Sequence, residues 1–170
     1  MLPRLRIVQT FAVFLVITSV AWGDVDAPTS RTDAIQRNNL GVAYMNQQNF
    51  NQAEKLFSAA IEKDPTLLTA QLNEGIALLN SQQLSQASAV LRKLIAQDPK
   101  NAAAWYNLGL VARKNGNSAE TIEDFKHAVA LAPNDADTHY LLGSGYQQSK
   151  DYKNAILQYQ VALQLNPLHA

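Results

Sequence analysis

The sequence predicts an all-α array of stacked helical hairpins, and three regularities carry that prediction. A Leu-Gly or Glu-Gly pair recurs every 34 residues, at Leu40-Gly41, Glu74-Gly75, Leu108-Gly109 and Leu142-Gly143. A proline stands 24 residues after each of these glycines, at Pro65, Pro99, Pro133 and Pro167. Between successive prolines lie two amphipathic runs separated by a short polar turn. A fixed period of this length marks a solenoid whose units bury their apolar faces only by stacking.

The first element in chain order is not part of the array. Arg4 and Arg6 precede a mostly apolar run from Ile7 to Val20, and Ala21-Trp22-Gly23 then places small residues where a signal peptidase reads. This order is that of a secretory signal peptide over residues 1–23, removed before Asp24. The apolar run is short against the roughly 20 residues of a membrane span. An uncleaved segment is therefore the one route by which this chain is expected to meet a membrane. Residues 24–33 are polar, carry Pro28 and Ser30, and read as a flexible lead-in.

The repeats then run from Ala34 to Leu67, Leu68 to Asn101, Ala102 to Asp135 and Ala136 to His169. Numbering positions 1 to 34 within each repeat, the turns fall at Gln48-Asn49, Gln82-Gln83, Gly116-Asn117 and Lys150-Asp151. The glycine at position 8 lies inside the first helix, where it costs about 1 kcal/mol against alanine. That cost makes sense only where two backbones approach closely. Ala53, Ala87, Thr121 and Ala155 at position 20 supply a small facing surface, and Phe57, Leu91, Phe125 and Tyr159 at position 24 fill the space beside it. The position-32 proline stops the second helix and turns the chain into the next unit.

These landmarks resemble the tetratricopeptide repeat family, with its W-x2-L-G-x2-Y, A-x3-F and P pattern. Repeat three supplies Trp105, Leu108, Gly109, Phe125, Ala128 and Pro133. Repeat one supplies Leu40, Gly41, Tyr44, Ala53, Phe57, Ala60 and Pro65. Repeat four supplies Leu142, Gly143, Tyr146, Ala155, Tyr159, Ala162 and Pro167, and repeat two is looser. The resemblance implies a right-handed α-solenoid. Departures fall at position 4, where Arg37, Gln71 and His139 stand in the slot of Trp105, and at Glu74, which replaces the usual leucine. A lone buried carboxylate is costly, so Glu74 is expected to reach solvent or pair with a neighbour.

Composition narrows the function classes. Hydrophobic residues make up 47% and charged residues 16%, which excludes a disordered chain. Lysine plus arginine equal aspartate plus glutamate at 14 each, without a basic stripe, so nucleic acid is not an expected partner. The chain has no cysteine, hence no disulfide, thiolate zinc site or lipidated cysteine. His127, His139 and His169 lack metal-ligand spacing, and no nucleophile elbow, dinucleotide fingerprint or P-loop is present. Glu120, Glu123 and Asp124 open a helix, where acids meet the positive end of its dipole. No catalytic residue, metal, cofactor or small-molecule substrate is expected.

Binding is the remaining class. First helices of such an array line an extended concave groove. The resemblance implies that positions 2, 5, 6, 9, 12 and 13 point into it. Position 6 holds Asn39, Asn73, Asn107 and then Leu141, and the three asparagines resemble the family's carboxamide ladder, which offers donors and acceptors to an extended backbone. Around it lie Leu72, Ile76, Leu79 and Leu110, then Tyr106 and Tyr140, and Arg113 and Lys114 stand ready for an acidic group or remain solvated. The family's chaperone clamp would need basic residues and an asparagine where this chain has Asn38, Val42, Ala103 and Asn107, so that role is rejected. The expected function is a non-catalytic scaffold that binds a protein or peptide segment. The alternative is the N-terminal scaffold of a larger exported enzyme or surface protein. Ile156, Tyr159, Leu163 and Leu165 of the last helix have no following repeat to cover them, which suggests such a fragment or self-association. Export with this repeat type places the protein, by family analogy, in a bacterial periplasm or cell envelope, or outside the cell.

Overall fold

The computed structural model describes residues 29–167. Among them are eight helices, α1 (Ser30–Asn46), α2 (Phe50–Lys63), α3 (Leu68–Asn80), α4 (Leu84–Gln97), α5 (Ala102–Lys114), α6 (Ser118–Leu131), α7 (Ala136–Gln148) and α8 (Tyr152–Leu165). They pair as four antiparallel hairpins stacked in chain order, an all-α solenoid. The expected signal segment, residues 24–28 and His169 lie outside the described residues. No described helix is long and apolar enough to cross a membrane.

The lead-in differs from expectation at its end. Ser30 to Asp33 form the first turn of α1 rather than a flexible approach. The Thr29 side chain accepts a hydrogen bond from the Thr32 amide at 3.3 Å and so caps the helix. Ser30 Oγ donates to the Lys63 carbonyl, and Arg31 reaches Asp64 at 3.3 Å. The added turn is thereby tied to the end of α2.

Each hairpin turn needs one left-handed residue, at position 15. It is Gln48, Gln82, Gly116 and Lys150, with φ of 57°, 63°, 73° and 65°. Only repeat three uses the residue that adopts this conformation without Cβ strain. Gln82→Gly is therefore expected to stabilise the array by about 0.5–1 kcal/mol. Gln82 is exposed, so little packing is lost. A higher urea midpoint is the expected reading, and an unchanged or lower one contradicts it.

The core repeats with the same period. Phe57, Leu91 and Phe125 are fully buried. Each lies over the position-8 glycine of its own repeat. A Cβ on Gly41 would stand 2.5 Å from the Phe57 ring, on Gly75 2.7 Å from Leu91, and on Gly109 2.9 Å from Phe125. On Gly143 it would meet Tyr159 at 2.7 Å and the Ala155 carbonyl at 3.3 Å. The close approach expected at position 8 is thus made mainly to the position-24 side chain. Ala53, Ala87, Thr121 and Ala155 at position 20 are all buried beside it.

Position 4 ties repeat to repeat despite its changing residue. Gln71 Nε2 donates to the Pro65 carbonyl at 2.8 Å, Trp105 Nε1 to Pro99 at 3.0 Å and His139 Nε2 to Pro133 at 3.0 Å. Three unlike side chains serve one acceptor, the carbonyl of the preceding proline. Arg37, in the first repeat, forms an ion pair with Asp33 at 2.9 Å instead. Trp105 also stacks on His127 with centroids 4.2 Å apart. Glu74 is half-buried and accepts a hydrogen bond from Ser58, so it pairs with the preceding repeat. Burial pushes its carboxyl above the usual range, and the Ser58 hydroxyl works against that rise.

Candidate protein-interaction groove

First helices of neighbouring repeats touch, α1 with α3 and α3 with α5, while no pair of second helices approaches as closely. The stack therefore curves with first helices on its inner side. Along that side the apolar groove residues form a half-exposed row. Leu72, Ile76, Tyr106 and Leu110 are half-buried, and Tyr140 is exposed, whereas Leu79, expected beside them, is turned into the core with Leu78 and Leu91. Leu72 and Leu110 rest on the core of repeats two and three. Tyr106 packs edge-on to Phe125 at 5.8 Å, and Tyr140 lies against Tyr159 at 5.4 Å. Leu72, Leu110, Tyr106 and Tyr140 are thus each anchored on one face while part of the side chain stays exposed.

The three ladder asparagines are not equivalent. Asn39 is exposed and accepts a 3.4 Å hydrogen bond from Asn38. Asn73 is half-buried, and its Nδ2 donates to Asn38 Oδ1 at 2.9 Å. Asn107 is buried, and its Nδ2 donates to the Ala103 carbonyl of its own helix at 2.8 Å. Two of the three amides thus already spend a donor within the protein. Arg113 and Lys114 are exposed at the end of α5.

A cavity of about 390 Å³ opens beside this row, between repeats three and four. Its walls are Ala102 and Ala103 of α5 and Ala128 and Ala132 at the end of α6. Tyr106 lines it, and Asp135, Asp137 and Thr138 at the start of α7 complete it. Ala103, Tyr106 and Asp137 occupy groove positions 2, 5 and 2, so cavity and groove share surface. Asp135 caps α7, accepting from the Asp137 amide at 3.3 Å and from the Thr138 hydroxyl. Burial raises the Tyr106 hydroxyl above its ordinary range, and the charges of Asp137 and Asp135 add to that rise against Arg113. None of these acidic or alanine positions stands out in a search for groove residues. The signal that sets this junction apart is position 31, which is Asp64, Asp98 and Asn166 in the other repeats but Ala132 in repeat three; the alanines at positions 1 and 27 are shared with repeat one, as Ala34 and Ala60.

On the last hairpin, Ile156, Leu157, Leu163 and Leu165 are exposed, and Tyr159 is half-buried. No group of three or more metal-ligating side chains is placed to hold an ion among the described residues.

Comparison with known proteins accords with this geometry. Models of the tetratricopeptide repeat match residues 34–67, 72–136 and 136–169. Comparison with curated proteins gives no match. Among solved structures, "MamA 41-end from Desulfovibrio magneticus RS-1" is similar, with a TM-score of 0.73 and 26% identity over 81% of this chain and 77% of that one. "Crystal structure of MamA" aligns with a TM-score of 0.75 and 23% identity over 80% of each chain. Repeat period, hairpin geometry and family models agree, and the chain belongs to the tetratricopeptide repeat family.

Proposed function

We propose that this protein is a non-catalytic scaffold that holds an extended peptide segment of a protein partner along the inner face of its first helices. The observation that carries this reading is the row Leu72, Ile76, Tyr106, Leu110 and Tyr140, half-exposed in successive repeats. Side chains anchored on one face and open on the other bury apolar area on binding without first being ordered. The fold class supports a protein-interaction role. Arg4, Arg6 and the apolar run from Ile7 to Val20 support an exported protein, in the periplasm or envelope.

The asparagines have a narrower role than a uniform ladder. Asn73 and Asn107 retain acceptor oxygens, while Asn39 keeps its amide group exposed. Apolar contacts therefore dominate affinity and amides set the direction of the bound backbone. Short random peptides displayed on phage and selected on the full chain provide a probe. A selected peptide is expected to bind Ile76→Ser roughly tenfold more weakly, the loss of about 1.4 kcal/mol of apolar contact. Equal affinity for Ile76→Ser and wild type, with both equally stable, removes the groove from the account.

A further inference from the structure

We infer that copies of this chain stack head to tail, with α8 of one copy seated against α1 of the next as a continuation of the solenoid. The inference does not depend on the groove reading, because the two faces lie outside the groove positions.

Inside the array one kind of contact is made three times, by α2 on α3, α4 on α5 and α6 on α7. Positions 21 and 28 form its second-helix side. Ile95 packs against the core that holds Leu108 and Val111, and Ile122 and Val129 pack against the core that holds Leu142. Positions 7 and 10 form its first-helix side. Leu108 and Leu142 at position 7, and Ala77 and Val111 at position 10, are buried there. A Cβ on Gly145 would stand 3.2 Å from Ile122, which sets position 10 of one repeat against position 21 of the repeat before it.

Among the described residues, both halves of this contact are exposed at the two ends of the stack. Leu40 at position 7 is 50% exposed, against 2% for Leu108 and Leu142, and Ala43 at position 10 is exposed as well. Ile156 and Leu163, at positions 21 and 28, are 57% and 44% exposed. The tail presents the surface that internal first helices cover, and the head presents the covering surface. A second copy is therefore the occupant for which both sides of the fit already exist in the molecule.

Position 4 adds a polar match. Gln71, Trp105 and His139 each donate to the carbonyl of the proline that precedes their repeat. Arg37 holds this position in repeat one, and Pro167 is the fourth proline of the series. The pair of Arg37 with Asp33 uses Nε, and a guanidinium carries five donors in all. Stacking sets Arg37 of one copy beside the Pro167 carbonyl of another.

One residue opposes a perfect copy of the internal junction. Position 3 is buried as Ala70, Ala104 and Thr138, but on the exposed face of α1 it is Gln36. Its longer side chain must turn to the rim, and the two copies lack the tether that joins internal repeats, so association depends on concentration. A contact between unlike ends leaves a head and a tail unused at every length and grows into open chains. Ile35 and Val42, at groove positions 2 and 9, are also exposed, so each added copy lengthens the apolar row.

Sedimentation of the full chain over a range of concentrations tests this, with a head variant, Leu40→Asp, and a tail variant, Leu163→Asp. The mass of wild type is expected to rise with concentration past that of a dimer. Each variant alone should be monomeric. Their equimolar mixture should form a dimer and stop there, since one supplies the intact tail and the other the intact head, and that dimer also shows both to be folded. Leu157→Asp should associate like wild type, because position 22 is exposed as Lys55, Ala89 and Glu123 inside the array. Gln36→Ala should shift association to roughly tenfold lower concentration. Wild type that stays monomeric throughout, or a mixture that does, overturns the inference. So does a Leu40→Asp protein that still dimerises, which would pair tail with tail, and so does association that persists in both variants, which would place the contact elsewhere in the chain.

Discussion

Phe125→Ala is expected to destabilise the array by about 3–5 kcal/mol. Phe125 is fully buried and lies over Gly109, where the absent Cβ leaves room for its ring. It also meets Tyr106 edge-on and packs with Leu141 and Leu142 of the next repeat. Truncation therefore opens a cavity inside hairpin three and at the junction with hairpin four. Neither side can collapse easily, because the surrounding core is set by helix backbones rather than by flexible side chains. In a stacked array each repeat contacts only its neighbours, so the damage stays local. Repeats one and two, centred on Phe57 and Leu91, are expected to hold near their original midpoint while repeats three and four unfold earlier. Amide hydrogen exchange across urea resolves that split. Leu157→Ala serves as the control, since Leu157 is 48% exposed and its loss should cost less than about 0.5 kcal/mol. A Phe125→Ala protein within 1 kcal/mol of wild type would mean, at roughly the scale of an ordinary surface change, that position 24 does not organise the hairpin.

Much of this architecture is legible in the residues because the forces that write it are local and repeated. A helix-interior glycine opposite a large residue is a steric statement, and four copies in register make it unambiguous. Prolines stop second helices two residues after the last helical turn, as the missing donor requires. Position 4 is a harder case. Gln71, Trp105 and His139 share no chemistry except a side-chain donor, and only the fold shows that all three reach the carbonyl of the preceding proline. Burial is the least legible property. Asn107 looks like a groove amide by position, yet the helix turns it inward and its donor goes to Ala103. Glu120, Glu123 and Asp124 look like one acidic cap. Glu120 does lie in the first turn of α6, but Asp124, one turn on, is only 5% exposed. The rotation of a helix about its axis by one residue separates a solvated acid from a buried one. The cavity beside Tyr106 is hidden for a different reason, since its alanine walls at positions 1 and 27 recur in repeat one and only Ala132, where other repeats carry a polar residue, sets its junction apart.

Asp124→Asn is expected to stabilise the protein at neutral pH by up to about 3 kcal/mol. The carboxyl is buried, and its Oδ2 is a buried polar atom with no hydrogen-bond partner. Burial lifts its pKa from 3.8 to about 6, with Arg92 opposing the rise and Glu120 and Glu123 adding to it. Arg92 is shared, because it also pairs with Glu120 at 3.4 Å, so its charge is only partly available to Asp124. A group whose folded pKa lies above its unfolded value binds more protons in the folded state between the two. This contribution to stability is therefore fully present below about pH 3.8 and is lost as pH rises through about 6. Above that window the folded state carries the full cost of an ionised buried carboxylate, and the gap between 3.8 and about 6 corresponds to about 3 kcal/mol. Asparagine carries no charge, so the variant lacks this contribution at every pH. Glu74 is raised in the same direction and Asp64 is lowered, held down by the Thr66 hydroxyl and amide, but both are common to the two proteins and cancel in the difference. Urea unfolding of wild type and Asp124→Asn across this range is expected to give curves that converge at acid pH and separate toward neutrality. Parallel curves would show that Asp124 keeps an ordinary carboxylate's affinity for its proton, and the buried charge would then have no part in the stability of repeat three.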